Sequence, residues 1–285
     1  MSGSQYIQLL GTGAGDANFG RPDSAQLPTR DIRRYTCNHL SPDILIDFNH
    51  QTPGALEEFG IDRDAIRHLF VSHGHFDHFQ PVEILSFAES LPQPLAVYGN
   101  TMVRDALEFC RDNTFDRNSG RFVAKQSPFN IEVKVIVPGM VVKAGEATVT
   151  ALPANHFMNQ PYCIMEQQAL NFLIEVGERT IFYGLDSSYL LPGAFERLSG
   201  SRFDIAILDA TFGPRDIDPM KSGHLNWKML DETIAELREA GCIDDATVIV
   251  AAHLSTNNVE PYNEVAEKLA RRGIRLSYDG QKLLL

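Results

Sequence analysis

Paired cysteines, an excess of basic residues and long apolar runs are all missing from this chain, and each absence removes a class of function. The four cysteines, Cys37, Cys110, Cys163 and Cys242, stand far apart with no Cys-x-x-Cys pair. They read as reduced, packed thiols rather than a disulfide framework or a zinc ribbon. Only 25 lysines and arginines oppose 37 aspartates and glutamates, a formal net charge of −12. Nucleic acid and anionic membranes are poor partners for such a surface. A small anion remains acceptable, because one or two cations at a site outweigh screened charge farther away. No apolar run reaches the roughly 18 residues of a membrane helix. The opening Met1-Ser2-Gly3-Ser4-Gln5 has neither the basic nor the apolar region of a signal peptide. The expectation is a cytoplasmic protein with no membrane partner, and a homodimer is compatible with it.

What is present is ordinary for a globular chain: 44% hydrophobic and 22% charged residues over 285 positions, enough to bury a large core. No low-complexity tract, long linker or internal repeat divides it, so residues 1–285 are expected to form one domain. Strand-like runs fall at 6–10, 43–47, 67–71, 95–98, 131–136, 147–152, 171–176, 180–183, 204–208, 247–251 and 274–278. Helical patterns fall at 81–90, 104–110, 226–240 and 262–272, the last two closed by Gly241 and Gly273. Strands dominate the first half and alternate with helices in the second. That order predicts an α/β protein with sheets inside and helices outside. The polar, weakly patterned residues 111–129 read as a flexible loop or part of a lid.

One stretch is far from ordinary. His73-Gly74-His75-Phe76-Asp77-His78 follows an apolar strand and places four side chains able to bind metal within six residues, in a chain with nine histidines. On an extended or looped backbone, positions i and i+2 face the same side, so His73 and His75 can meet on one ion. Asp77 and His78 lie one turn further on and are free for a second. Imidazole and carboxylate suit zinc or manganese almost equally. Three further candidates end strand-like runs: His156 in Leu152-Pro153-Ala154-Asn155-His156, Asp186 in Tyr183-Gly184-Leu185-Asp186, and His253 in Val250-Ala251-Ala252-His253. Each alone is more often a satisfied edge residue, but with the opening run they make a coherent set of seven.

Taken together these residues resemble the metallo-β-lactamase superfamily, whose motif is His-x-His-x-Asp-His followed by a distant His, a bridging Asp and a final His. The resemblance runs from Leu10-Gly11-Thr12-Gly13 to Tyr278-Asp279-Gly280. It implies an αββα four-layer sandwich. It also implies two divalent metal ions, Zn²⁺ or Mn²⁺: one on His73, His75, His156 and Asp186, the other on Asp77, His78, Asp186 and His253.

Within that superfamily the chain is similar to the phosphoribosyl 1,2-cyclic phosphate phosphodiesterases. The likeness lies in Leu10-Gly11-Thr12-Gly13, Arg33-Arg34-Tyr35-Thr36-Cys37, Leu45-Ile46-Asp47, Asp186-Ser187, Leu208-Asp209-Ala210 and Gly223-His224-Leu225-Asn226. It implies a small phosphorylated substrate, with His224 outside the metal shell handling phosphate and protons, and Asp77 at the reacting centre. Arg33 and Arg34 are candidates for holding a distal phosphate. Relatives of that branch can carry a structural zinc on early cysteines and a histidine three residues after the last ligand. Here residues 15–36 hold no cysteine, and the late position is Thr256. The tRNA 3′-processing endonucleases share the ligand set and the stretch at Asp209-Ala210-Thr211-Phe212, but their basic or Gly-Pro-rich arm has no counterpart. Thioesterases or lactonases of the same fold would want an apolar groove, for which Phe19, Phe157, Met158 and Tyr189 are candidates. Gly11-Thr12-Gly13-Ala14-Gly15 lacks dinucleotide spacing and reads as a tight turn approaching the metals. His39 and His50 read as non-catalytic, and His68 as structural.

Overall fold

Period-two alternation of side chains decides the architecture, because the central strands bury their two faces in different cores. In the computed structural model, which describes residues 5–125, 130–156 and 168–285, the chain opens with β1 (Tyr6–Gly11), β2 (Cys37–Leu40), β3 (Ile44–Ile46), β4 (His68–Phe70) and β5 (Leu95–Gly99). It passes through a separate hairpin, β6 (Asn113–Asp116) and β7 (Arg121–Ala124), and returns with β8 (Ile131–Val135). The second sheet follows as β9 (Val141–Ala144), β10 (Ala147–Pro153), β11 (Leu170–Val176), β12 (Arg179–Gly184), β13 (Ile205–Asp209), β14 (Val248–Ala252) and β15 (Ile274–Leu276). Last, β16 (Gln281–Leu284) crosses back to pair antiparallel with β1. The sheet orders are β16-β1-β2-β3-β4-β5-β8 and β15-β14-β13-β12-β11-β10-β9.

Ile44 and Ile46 point between the sheets, where they share a core with Phe70, Phe172, Ile174, Ile181, Tyr183, Ile205 and Ile207. Leu45 points the other way, onto α1 (Thr52–Glu58), α2 (Pro81–Glu89) and α3 (Thr101–Asp112). Phe182, Ala206 and Leu208 likewise leave the central core for α4 (Pro192–Leu198), α6 (Trp227–Glu239) and α7 (Tyr262–Ala270). A single turn, α5 (Pro219–Ser222), precedes α6. The result is the expected αββα sandwich. Among the described residues no helix is long and apolar enough to cross a membrane.

Helix starts are legible in the local chemistry. Asn226 and Asn100 cap α6 and α3 by accepting from Met229 N at 2.9 Å and Val103 N at 3.1 Å, each cap adding about 1 kcal/mol. Pro81 opens α2, where its missing N–H costs nothing.

Residues 111–129 are not one loop. Helix α3 runs to Asp112, and β6–β7 form an antiparallel hairpin. Asp116 accepts from the N–H groups of Asn118 and Ser119 in its turn, and Phe122 packs on Phe109 and Phe115. Polar turn residues hide the hairpin in the sequence; residues 126–129 lie outside those described. Strands β2, β9 and β16 were also unanticipated, being four residues each and partly polar.

Strands β3, β4 and β5 run parallel, as do β12 to β15. Their carboxyl ends open to loops, the usual place for a site in a parallel sheet. Phe172, fully buried between the sheets, sits edge-on to Phe70 at 5.6 Å. Phe172→Ala is expected to lower stability by about 3–5 kcal/mol in urea denaturation; a change within about 0.5 kcal/mol, typical of surface sites, would contradict this core.

Candidate metal centre

Backbone strain marks where the two sheets converge. The only described non-glycine residues with positive φ are Asp47 (63°), Asp186 (47°) and His253 (58°), and each directly follows, or lies two residues beyond, a strand end. A left-handed residue costs about 1–3 kcal/mol and persists only when its surroundings hold it. Here the turn swings a polar side chain off a buried strand and into a shared space.

All seven predicted ligand residues meet there. His73, His75 and His156 form one group, Asp77, His78 and His253 another, and Asp186 reaches both. Asp186 Oδ2 lies 3.9 Å from His73 Nε2 and 3.7 Å from His156 Nε2. Its Oδ1 lies 3.0 Å from His78 Nε2 and 3.3 Å from His253 Nε2. Asp77 Oδ2 completes the second group at 3.4 Å from His253 Nε2. His75 Nδ1 completes the first at 3.0 Å from His156 Nε2.

Neighbouring residues fix which nitrogen faces inward. His78 Nδ1 donates to Asp47 Oδ2 at 2.8 Å, and His156 Nδ1 to the Gly223 carbonyl at 2.9 Å. His253 Nδ1 meets Thr211 Oγ1 at 2.7 Å. With their Nδ1 atoms engaged on these partners, the Nε2 atoms of His78, His156 and His253 face Asp186. Burial opposes charge on His78, but Asp186, Asp77 and Asp47 outweigh it and hold its pKa well above the usual histidine range. Buried His73 Nε2 finds no hydrogen-bond partner. Grouped imidazole and carboxylate donors within 4.8 Å of one another fit divalent metal, and partner carboxylates and carbonyls of this kind are how proteins orient ligand histidines. Burial holds His73 and His156 below the usual histidine range, the latter at about 4. That keeps both neutral and able to ligate.

Gly223 belongs to this arrangement. Its φ is +61°, and a Cβ there would come within 2.8 Å of His156 Nδ1. Two aspartates to which the sequence reading gave no role hold the rest. Asp47 also accepts from Ser72 N at 2.7 Å and Ser72 Oγ at 3.0 Å. Asp209 accepts from Thr211 N, Leu225 N and Asp186 N. Asn49 donates to the carbonyls of Thr36 and Asp77. The signal was available: Leu45-Ile46-Asp47 and Ile207-Leu208-Asp209 end apolar strands in aspartate, as Gly184-Leu185-Asp186 does.

His224 stands beside the seven. Its Nδ1 donates to Asp209 Oδ2 at 2.8 Å, and its ring stacks on His253 with centroids 5.2 Å apart. Burial opposes its charge, but Asp209, Asp186 and Asp77 outweigh that and raise its pKa to about 9. The cleft over the cluster, about 430 Å³, is lined by Gly15, Phe76, Asp77, Asp186, Phe212 and His224 among others. Gly15 thus ends the glycine-rich turn against the site, as expected.

Arg33 and Arg34 do not join it. Arg34 pairs with Glu58 and with Asp279 at 3.4 Å, lies 3.7 Å over the Phe19 ring, and lines a different cleft with His50. Arg33 is buried, its Nε and Nη2 without hydrogen-bond partners, behind the glycine turn. Acidic partners hold Arg34, and burial behind the turn removes Arg33 from the cleft. The acyl-groove candidates also separate: Phe19 stacks on Arg34, Tyr189 bonds Glu232, and Phe157 and Met158 lie outside the described residues. His39 is buried on β2, and His68 sits between Asp43 and Tyr98.

Residues 41–254 match the family described as the Beta-lactamase superfamily domain. The chain belongs to that superfamily. Among solved structures, this superfamily member is similar to the metallo-beta-lactamase fold protein YhfI from Bacillus subtilis, at 19% identity and TM-score 0.69, with 99% of this chain and 100% of that chain covered. It is also similar to a diphosphatase from the PhnP family (18%, TM-score 0.70, 98% and 97% covered) and to the short form of human tRNase Z (18%, TM-score 0.64, 98% of each). At these identities the likeness is one of fold. No curated protein sequence matches the chain.

Asp47→Asn keeps a residue that tolerates positive φ but removes the carboxylate behind His78. It is expected to weaken Zn²⁺ binding about 10–100-fold in a competition titration against a chelating dye. Unchanged affinity would show that Asp47 does not orient a ligand.

Proposed function

We propose that the protein is a metal-dependent hydrolase acting on a small phosphodiester, of the kind represented by a phosphoribosyl 1,2-cyclic phosphate. His73, His75, His156 and Asp186 would hold one divalent ion, and Asp77, His78, Asp186 and His253 a second. Zinc and manganese suit this donor set equally. When bound, such a pair supplies Lewis-acid charge to a phosphoryl group and lowers the proton affinity of a water.

The observation that carries the reading is the His224–Asp209 pair. His224 is surplus to the seven-residue set, faces the cleft, and is held as a proton carrier by the 2.8 Å bond from its Nδ1 to Asp209. Its Nε2 proton is available to a leaving group. An alkoxide expelled from a sugar phosphate needs that proton, whereas a thiolate, whose thiol has a pKa near about 8.5, leaves without one. A general acid therefore favours a phosphodiester over a thioester. Asp209 orients the imidazole and offsets its positive charge, and Phe76 and Phe212 line the cleft beside it. The cleft volume suits a small molecule. A net charge of −12 disfavours a tRNA-sized polyanion.

The similar PhnP-family structure is that of a diphosphatase, which agrees with phosphate chemistry. With both arginines turned away, positive charge at a bound phosphate would come from the metals and from His224.

The test is a substrate panel with the metal-loaded protein: a ribose 1,2-cyclic phosphate, a 2′,3′-cyclic nucleotide, an aryl diester and an acyl thioester. The cyclic ribose phosphate should turn over fastest, and strongest activity on the thioester would overturn the reading. His224→Ala should keep its metal content while losing about 10²–10⁴-fold in rate on the sugar diester. The loss should be much smaller on a nitrophenyl diester, whose leaving group needs no proton. An equal loss on both would remove His224 from the acid role.

A further inference from the structure

Of the seven ligand candidates, only His253 comes from the segment that follows β14. It leaves β14 in a left-handed turn and opens a stretch, residues 253–258, with no regular secondary structure. That stretch is nevertheless fastened to one residue at the end of the glycine-rich turn, Asp16. Asp16 Oδ2 accepts from Ser255 Oγ at 2.7 Å and from Asn257 N at 3.1 Å. Its Oδ1 accepts from Thr256 N at 3.1 Å, and its carbonyl accepts from Thr256 Oγ1 at 2.7 Å. Two backbone bonds extend the seam: Leu254 N to Thr12 O at 2.8 Å and Ala14 N to Leu254 O at 3.2 Å. The glycine-rich turn and the His253 loop are thereby made one wall, of which Asp16, Ser255 and Asn258 face the cleft.

We infer that Asp16 is a positioning residue for the second metal position, clamping the loop that aims His253 at Asp77, His78 and Asp186. The inference rests on the two-ion reading above and goes beyond it by making the two positions unequal. Only His253 among the seven rides on this loop. The first group is carried by the loop after β4 and by His156, which is anchored on Gly223. Loosening the clamp displaces one donor of one group and leaves the other group untouched. A carboxylate is required because three donors from three successive residues converge on two oxygens. An amide at this position offers one acceptor and turns an NH₂ group against an N–H.

The experiment is equilibrium dialysis of the full chain against graded free Zn²⁺, reading zinc bound per chain, with His253→Ala as reference. The wild type should take up two ions. Asp16→Asn should keep one at wild-type affinity and bind the other about 10–100-fold more weakly, the same step that His253→Ala removes. Ser255→Ala removes one donor to Asp16 and the acceptor for Asn257 N and Asn258 Nδ2, but leaves the Thr256 and Asn257 backbone bonds to Asp16. It should shift that step in the same direction by less, and it carries the test if Asp16→Asn fails to fold. Wild-type affinity for both ions in Asp16→Asn overturns the inference, and so does an equal weakening of both. If the wild type binds fewer than two ions, the two-ion reading fails by itself. The clamp then stands only if Asp16→Asn and His253→Ala weaken the same binding step.

Discussion

A single carboxylate shared between two sets of imidazoles is the constraint on which this molecule turns. Asp186 presents Oδ2 to His73 and His156 and Oδ1 to His78 and His253, and it can do so only from a left-handed backbone at the end of β12. Its own N–H is held by Asp209, and the preceding Leu185 carbonyl accepts from Asn171 at 2.6 Å. The two sheets must face each other in one register for their strand ends to meet at this residue. The buried core between them, with Phe70, Phe172 and Tyr183 at its centre, is what fixes that register.

Concentrating buried acids and imidazoles is costly unless each has a partner. Here the cost is distributed over paired supports. Asp47 stands behind His78, Asp209 behind His224 and Thr211, and the Gly223 carbonyl behind His156. Tyr183, buried in the inter-sheet core, also donates to Asp47, and so links the packing of the sandwich to the orientation of a ligand. The donors grouped at the centre are what divalent cations would bind, which couples metal affinity to the stability of the fold.

Much of this was legible in the sequence, for physical reasons. Strands with period-two alternation and helices with capping asparagines and terminal glycines announce themselves, because local geometry dictates which side chains can be apolar. The His73–His78 run was legible because so many donors in six residues serve nothing else. Asp186, His156 and His253 were legible only as strand-end residues completing that set. The arginines were misplaced because sequence gives charge but not direction: Arg34 had Glu58, Asp279 and the Phe19 face closer to hand than the cleft. The β6–β7 hairpin was missed because its turn is polar and its aromatic residues pack on one another at the surface. Asp47 and Asp209 act through other residues, and nothing in their local pattern distinguishes a support from a ligand.

The site therefore combines a set of metal-binding donors with a histidine, His224, that stands outside the set and faces the same cleft. The most direct test of that account is electron paramagnetic resonance of the Mn²⁺-loaded protein, with manganese counted per chain. Two ions held by one bridging carboxylate should give the spectrum of an exchange-coupled pair at two manganese per chain, collapsing to an isolated-ion signal in Asp186→Ala. One manganese per chain, or two with the spectrum of independent ions, would contradict it.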